Sequence, residues 1–166
     1  MIFVALGANL PGAGGIPPRS TLEAALSALP GHGVSISRRS RWYRSAPVPS
    51  ASQPWFVNAV AEVETALNPA ALLAALHRVE TALGRVRSEP NAARACDLDL
   101  LDFDGRIDLG GGGRPDLPHP RMSERLFVLL PLADLAPGWV HPVTRMPVGA
   151  LIAGVPPGQR CEPMAD

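Results

Sequence analysis

The chain contains no lysine: all fifteen of its basic residues are arginine. Any side-chain cation that meets an anion here is therefore a planar, permanently charged guanidinium fork or a histidine. The lysine-dependent phosphate loop G-x-x-x-x-G-K-[ST] is absent, as is the dinucleotide fingerprint G-x-G-x-x-G, so neither of those routes to a nucleotide is supported. Only two cysteines occur, Cys96 and Cys161, which argues against a disulfide scaffold and for a reducing compartment. No 18-residue apolar run is present, and the first ten residues lack the basic region of a signal peptide. Formal net charge is +0, so no global field recruits nucleic acid or an anionic membrane. These absences describe a cytoplasmic protein with no nucleic-acid or membrane partner, expected to work as a monomer.

With 166 residues, 46% of them hydrophobic, the chain has enough apolar surface for one packed domain spanning 1–166. Its 16 glycines and 19 prolines point to long ordered loops. Residues 2–6 read as a buried first strand leaving through Gly7-Ala8-Asn9. Ser20 or Thr21 is expected to cap a helix with Leu22, Ala25, Leu26 and Leu29 on one face, stopped by Pro30-Gly31. Residues 34–43 alternate as a second strand, 45–54 form a loop, and 55–65 make a third strand. Asn68 and Pro69 open a second helix carrying Leu72, Leu76, Val79, Glu80 and Leu83, closed by Gly84. A strand at 94–104 follows an arginine-rich loop. The order strand, helix, strand, strand, helix, strand predicts a ferredoxin-like α+β fold, with antiparallel sheet on one side and helices on the other. Beyond it, Gly110 to Gly113 reads as a flexible link, Ser123 starts an extra C-terminal helix with Leu126, Phe127, Leu130 and Leu132, and the tail has no readable pattern.

The strand R-A-C-D-L-D-L-L-D-F-D, read as central, is the chemical focus. Asp97 and Asp99 share one face of it, with Cα atoms about 6.5 Å apart, while Leu98 and Leu100 point the other way. Two carboxylates on a largely buried strand repel each other and lose hydration; a divalent cation or a guanidinium relieves both costs. Paired oxygen ligands on rigid backbone suit Mg²⁺, which keeps waters and substrate phosphates as its remaining ligands. Arg85, Arg87 and Arg94 precede the pair, and His119, Arg121 and Arg125 follow it, so phosphate-competent cations flank it on both sides. A solvated strand end with ordinary surface arginines is the plainer reading of the same residues. Asn58 reads either as a satisfied structural amide or as a donor–acceptor pair for a heterocycle edge. Phe56 and Phe127 read by type as core.

Taken together, the segments A-L-G-A-N-L, W-Y-R-S-A-P, Q-P-W-F-V-N-A-V, G-R-V-R, A-R-A-C-D-L-D-L-L and L-P-H-P-R, with R-L-F-V-L-L-P-L after it, resemble the 6-hydroxymethyl-7,8-dihydropterin pyrophosphokinases of folate biosynthesis. The resemblance runs almost end to end. It implies transfer of the β,γ-pyrophosphoryl group from ATP to the hydroxymethyl oxygen of 6-hydroxymethyl-7,8-dihydropterin, with two Mg²⁺ ions held by Asp97 and Asp99. It further implies that Phe56 and Phe127 sandwich the pterin, that Asn58 bonds its edge, and that the backbone of Ser45 to Val48 completes recognition. Glu80, Arg87, His119, Arg121 and Arg125 are implied for ATP. Arg85 and Arg94 are implied in catalysis, at the two ends of a loop that closes over both substrates. The loop departs from the family: it reads R-S-E-P-N-A-A-R, lacks W-G-P, and has Asn91 where a further arginine often stands. Ala95, Cys96 and Ala46 also replace commoner residues. The altered loop leaves two other readings open, a ferredoxin-like nucleotide-binding module without chemistry and another Mg²⁺-dependent phosphotransferase.

Overall fold

A computed structural model describes residues 1–47, 52–84 and 93–166. Strand β1 (Ile2–Ala8) is buried along most of its length and leads to helix α1 (Pro18–Ala28). The helix starts before Ser20, because Pro18 occupies its first position, where a fixed φ is pre-organised and the missing N–H is no loss. Thr21 does not cap; its hydroxyl donates to the Pro17 carbonyl at 3.4 Å. A 3-10 turn over Leu29–His32 and Gly33 at φ 81° then redirect the chain into β2 (Val34–Arg39).

The single strand expected over 34–43 is two strands, β2 and β3 (Tyr43–Ser45), and both pair with β4 (Phe56–Thr65). Ser40 explains the break. Its N–H donates to the Val60 carbonyl at 2.9 Å and its hydroxyl accepts the Val60 N–H at 3.0 Å, so a side chain takes one place in the ladder. Helix α2 (Pro69–Ala82) opens as its sequence predicts, with the Asn68 side chain accepting the Ala71 N–H at 2.8 Å. Strand β5 (Asp97–Phe103) completes the βαββαβ unit.

The residues beyond β5 add more than one helix. Strands β6 (Asp108–Gly111) and β7 (Arg114–Leu117) form a hairpin whose turn is the glycine run, with Gly111, Gly112 and Gly113 at φ 91°, 61° and 81°. The glycines make a tight turn where a flexible link was expected, because that turn needs positive φ. Helix α3 (Leu126–Leu135) begins after Arg125, three residues later than Ser123, and a short α4 (Val148–Ala153) follows. Strand β8 (Cys161–Pro163) then pairs with β3, placing structure in the tail that had shown no pattern.

The six-stranded antiparallel sheet runs β5-β1-β4-β3-β8, with β2 also on β4. The aspartate strand is thus at the edge, not the centre, and β1 and β4 are the central pair. The two helices of the βαββαβ unit share one face, as expected, and the extra C-terminal helix α3 covers the other. Val4, Leu6, Leu98 and Val63 meet α1 and α2 through Leu22, Leu76 and Val79. Phe3, Val60 and Leu101 meet α3 and its neighbours through Leu129, Leu132 and Trp139. Leu76 and Leu129 are each 0% exposed, and burial of one such side chain contributes about 2 kcal/mol.

Between β1 and β5 the register shifts at Phe3/Val4: Val4 faces Leu100 and Phe3 faces Asp102, leaving Leu101 as the extra residue. The Leu101 carbonyl accepts the His119 N–H at 2.8 Å, which fastens the loop after β7 to the aspartate strand.

Candidate active site

The site grows from one row of the sheet. Asp97 on β5, Gly7 on β1 and Asn58 on β4 are direct cross-strand partners, and Asp99 and Ala5 form the adjacent pair. Side chains opposite one another in antiparallel strands share a face. The middle strand therefore contributes a low floor of glycine and alanine, with taller residues on either side. An added Cβ at Gly7 would meet Asn58 Oδ1 at 3.4 Å. Above this floor the first turn of α3 brings Phe127 and Val128, with Arg125 just before it. The result is a cleft partly continuous with solvent.

Phe56, Asn58 and Ala46 line one side, Asp97, Asp99 and Arg94 the other, and Arg125 and Phe127 close it from above. Seven of the residues singled out in the sequence are thus brought together: Phe56, Asn58, Arg94, Asp97, Asp99, Arg125 and Phe127. Asn58 is buried and its Nδ2 donates to Ser45 Oγ at 2.8 Å, so the Ser45 side chain supports Asn58 from behind. Glu80 is 1% exposed and is not on the cleft wall. Its carboxylate accepts the Leu98 N–H at 2.7 Å, joining α2 to the strand between the two aspartates. Arg121 is exposed; its N–H donates to His119 and its charge acts on both His119 and Arg125. Arg85, Arg87 and Val48 lie outside the described residues.

Charge within the site is unevenly distributed. The Arg94 guanidinium donates to Asp97, with only 20% and 13% of the two side chains exposed, so the charge relief expected for the carboxylate pair is visible. Burial pushes the Arg125 guanidinium down from its usual range, as do Arg121 and Arg94, while Asp99 and Asp97 act in the opposite sense. It remains a cation, 5.7 Å from the Phe127 ring centre. His119 differs from expectation. Burial, and then Arg125, push its pKa down to about 4, and its Nδ1 accepts the Arg121 N–H at 3.2 Å. In the ligand-free protein the imidazole is therefore neutral at pH 7, with its proton on Nε2.

Asn9 escaped the sequence reading, where it was only part of a turn. It is 2% exposed; its Oδ1 accepts the Arg94 N–H at 2.9 Å, and its Nδ2 donates to Gln53 Oε1 at 3.1 Å and the Pro54 carbonyl at 3.0 Å. It joins the segment before β5 to the segment before β4, the two entrances of the cleft. A polar residue ending an apolar strand was the available signal.

A carboxylate pair, guanidiniums and an aromatic gap on one face of a ferredoxin-like sheet define a phosphate-transferring enzyme with a flat acceptor. Comparison with known proteins narrows the class. Residues 3–137 match the family model described as 7,8-dihydro-6-hydroxymethylpterin-pyrophosphokinase. The 2-amino-4-hydroxy-6-hydroxymethyldihydropteridine pyrophosphokinase of Pseudomonas aeruginosa is 44% identical over 140 residues, covering 82% of this chain and 80% of that protein. The folic acid synthesis protein fol1 of Pneumocystis carinii is 36% identical over 149 residues, 90% of this chain but 19% of that much longer protein. The crystal structure of Plasmodium falciparum HPPK-DHPS superposes with a TM-score of 0.66 at 14% identity, covering 92% of this chain and 43% of that one, a likeness of fold. The chain belongs to the 7,8-dihydro-6-hydroxymethylpterin-pyrophosphokinase family, ATP-dependent enzymes that transfer pyrophosphate to hydroxymethyldihydropterin in folate synthesis.

Proposed function

We propose that the cleft performs the family reaction with a division of labour between its two sides. Phe56 and Phe127 hold the pterin ring between them, and Asn58 bonds its edge beside the backbone of Ser45 to Val48. Stacking with a few polar contacts is what a flat, hydrogen-bonding heterocycle requires. Arg94 and Arg125 offer guanidinium forks to the oxygens of the transferred group, and the neutral His119 donates from Nε2. Arg121, Arg85 and Arg87 extend the phosphate side. The resemblance gives the segment 85–94 a closing role over both substrates. Glu80 contributes to ATP binding through the strand it fastens. The whole of 1–166 acts as one domain, which β1 and β8, far apart in sequence, joining one sheet supports; the protein works as a monomer in the cytoplasm.

Asp97 and Asp99 would hold two Mg²⁺ ions. The donor set fits: both carboxylates line the cleft, while no group of three or more ligating side chains occurs among the described residues. Mg²⁺ uses one or two protein carboxylates and takes water and phosphate for the rest. Bound there, it supplies Lewis-acid neutralisation of the triphosphate. The chain's own share is positioning and electrostatics, which suffice for phosphoryl chemistry without a strong protein base.

The observation that carries this reading is the shared floor, Gly7 and Ala5, which places the aromatic gap beside the carboxylate pair. The test is a product assay with ATP, Mg²⁺ and 6-hydroxymethyl-7,8-dihydropterin. AMP formed only with the pterin present is expected. ADP would indicate single-phosphate transfer, and no product from folded protein would point to a binding module.

A further inference from the structure

The last residues of the chain touch both walls of the cleft. They lie beyond residues 3–137 of the family match and line no part of the site. Gln159 is half-buried. Its Oε1 accepts the Leu126 N–H at 2.9 Å and its Nε2 donates to the Glu124 carbonyl at 2.7 Å. Leu126 is the first residue of α3 and stands between Arg125 and Phe127. The N-cap residue, Arg125, makes no side-chain capping bond, so Gln159 supplies from a distant part of the chain an acceptor that the helix end needs.

One residue later the same segment reaches the opposite wall. The Arg160 carbonyl accepts the Ala46 N–H at 3.0 Å, and β8 pairs Cys161 with Ser45. The Met164 N–H donates to the Trp42 carbonyl at 2.8 Å, at the start of the same wall. Strand β3 has three residues, too few to be stable on one neighbour, and β8 gives it a second. Ser45 in turn accepts from Asn58. Residues 159–164 therefore bridge the Phe127 wall and the Ser45–Asn58 wall with little slack, since Gln159 and Arg160 are adjacent in sequence.

We propose that Gln159 is a positioning residue for the pterin: through the strap 159–164 it sets the gap between Phe127 and the Asn58 side of the cleft. This rests on the reading of the cleft as the pterin site. The strap holds Glu124 and Leu126 on either side of Arg125, which the proposed function places on the phosphate side, so its main effect falls on the acceptor and a smaller one on the nucleotide.

The test uses the full chain as wild type, Gln159→Ala and Gln159→Glu. Pterin affinity is measured by calorimetry with Mg²⁺ and a non-hydrolysable ATP analogue present, the affinity of the analogue itself is measured separately, and melting temperature is recorded for each protein. Gln159→Ala is expected to weaken pterin binding about tenfold, to weaken nucleotide binding less, and to lower the melting temperature by about 2–6 °C, the size of one or two net hydrogen bonds. Gln159→Glu keeps the acceptor for the Leu126 N–H but loses the donor to the Glu124 carbonyl, and is expected to recover at most part of that loss. Unchanged pterin affinity in the alanine variant overturns the proposal, as does a fall in nucleotide affinity equal to or greater than that for the pterin. A wild-type chain that binds no pterin refutes the site reading itself and this proposal with it, and is distinguished because the wild type alone reveals it.

Discussion

Glu80 separates two accounts of the nucleotide side of the site. The family resemblance places it among ATP-binding residues, yet its carboxylate is buried against β5 and accepts the Leu98 N–H at 2.7 Å. Leu98 lies between Asp97 and Asp99 on an edge strand whose ladder partner is β1. Removing the carboxylate with Glu80→Ala deletes a charge-assisted hydrogen bond and leaves an amide N–H in a site where Leu98 is 1% exposed. Together these cost about 3 kcal/mol. In a chain of 166 residues that corresponds to a fall in melting temperature of about 6–12 °C.

Glu80→Gln retains an oxygen acceptor of the same reach and is expected to cost less than about 1 kcal/mol. The assay pairs thermal melting with steady-state kinetics in ATP. If the carboxylate acts through Leu98, Glu80→Ala lowers both melting temperature and kcat, and Glu80→Gln restores both. A Glu80→Ala protein that melts with wild type but shows a raised KM for ATP alone would refute the reasoning and make Glu80 a direct nucleotide contact.

Two further predictions concern charge. Asp97→Asn and Asp99→Asn are each expected to lower turnover by more than about 100-fold with melting close to wild type, and chelation of Mg²⁺ should do the same reversibly; full activity in both variants would remove the metal assignment. His119 has a folded-state pKa pushed down to about 4, below its usual value of 6.5. Between those values the unfolded chain binds the proton and the folded chain does not, so stability rises with pH. The ligand-free protein is expected to lose at most about 3 kcal/mol through this group as pH falls from 6.5 to 4, and His119→Gln should flatten that part of a urea-denaturation pH profile. An unchanged profile would refute the buried neutral imidazole.

The parts of this molecule legible in its sequence are those with local causes. Asn68-Pro69 opens α2 because a side-chain acceptor and a fixed φ both act within one turn, and alternation along Asp97-Leu98-Asp99-Leu100 sends the carboxylates to one face whatever surrounds the strand. The α1 start was misplaced because two local signals competed, and Pro18 prevailed over Ser20 and Thr21. Strand order has no local signature, so the aspartate strand read as central when it is an edge. Short strands fared worst: β3 and β8 hold three residues each, too few to show a period, and they exist by pairing Ser45 with Cys161 across more than a hundred residues.

The same distinction runs through the site. The groups that would meet the substrates were recognisable by type: carboxylates, guanidiniums, two phenylalanines and an amide. Of the groups that hold them, Ser45 and Glu80 were named only as substrate contacts and Asn9 and Gln159 were not singled out, because each holder is distant in sequence and ordinary in kind. Asn9 fastens Arg94, Ser45 fastens Asn58, Glu80 fastens Leu98, and Gln159 fastens Leu126. None carries chemistry of its own, and a hydrogen bond within a folded core is visible only once both partners are in place. Yet a displacement of about 1 Å at such a site can cost 100-fold in rate. A catalytic inventory read from sequence is therefore half of the mechanism, and for this chain the other half lies in a few buried bonds between loops that the sequence shows only as turns and tails.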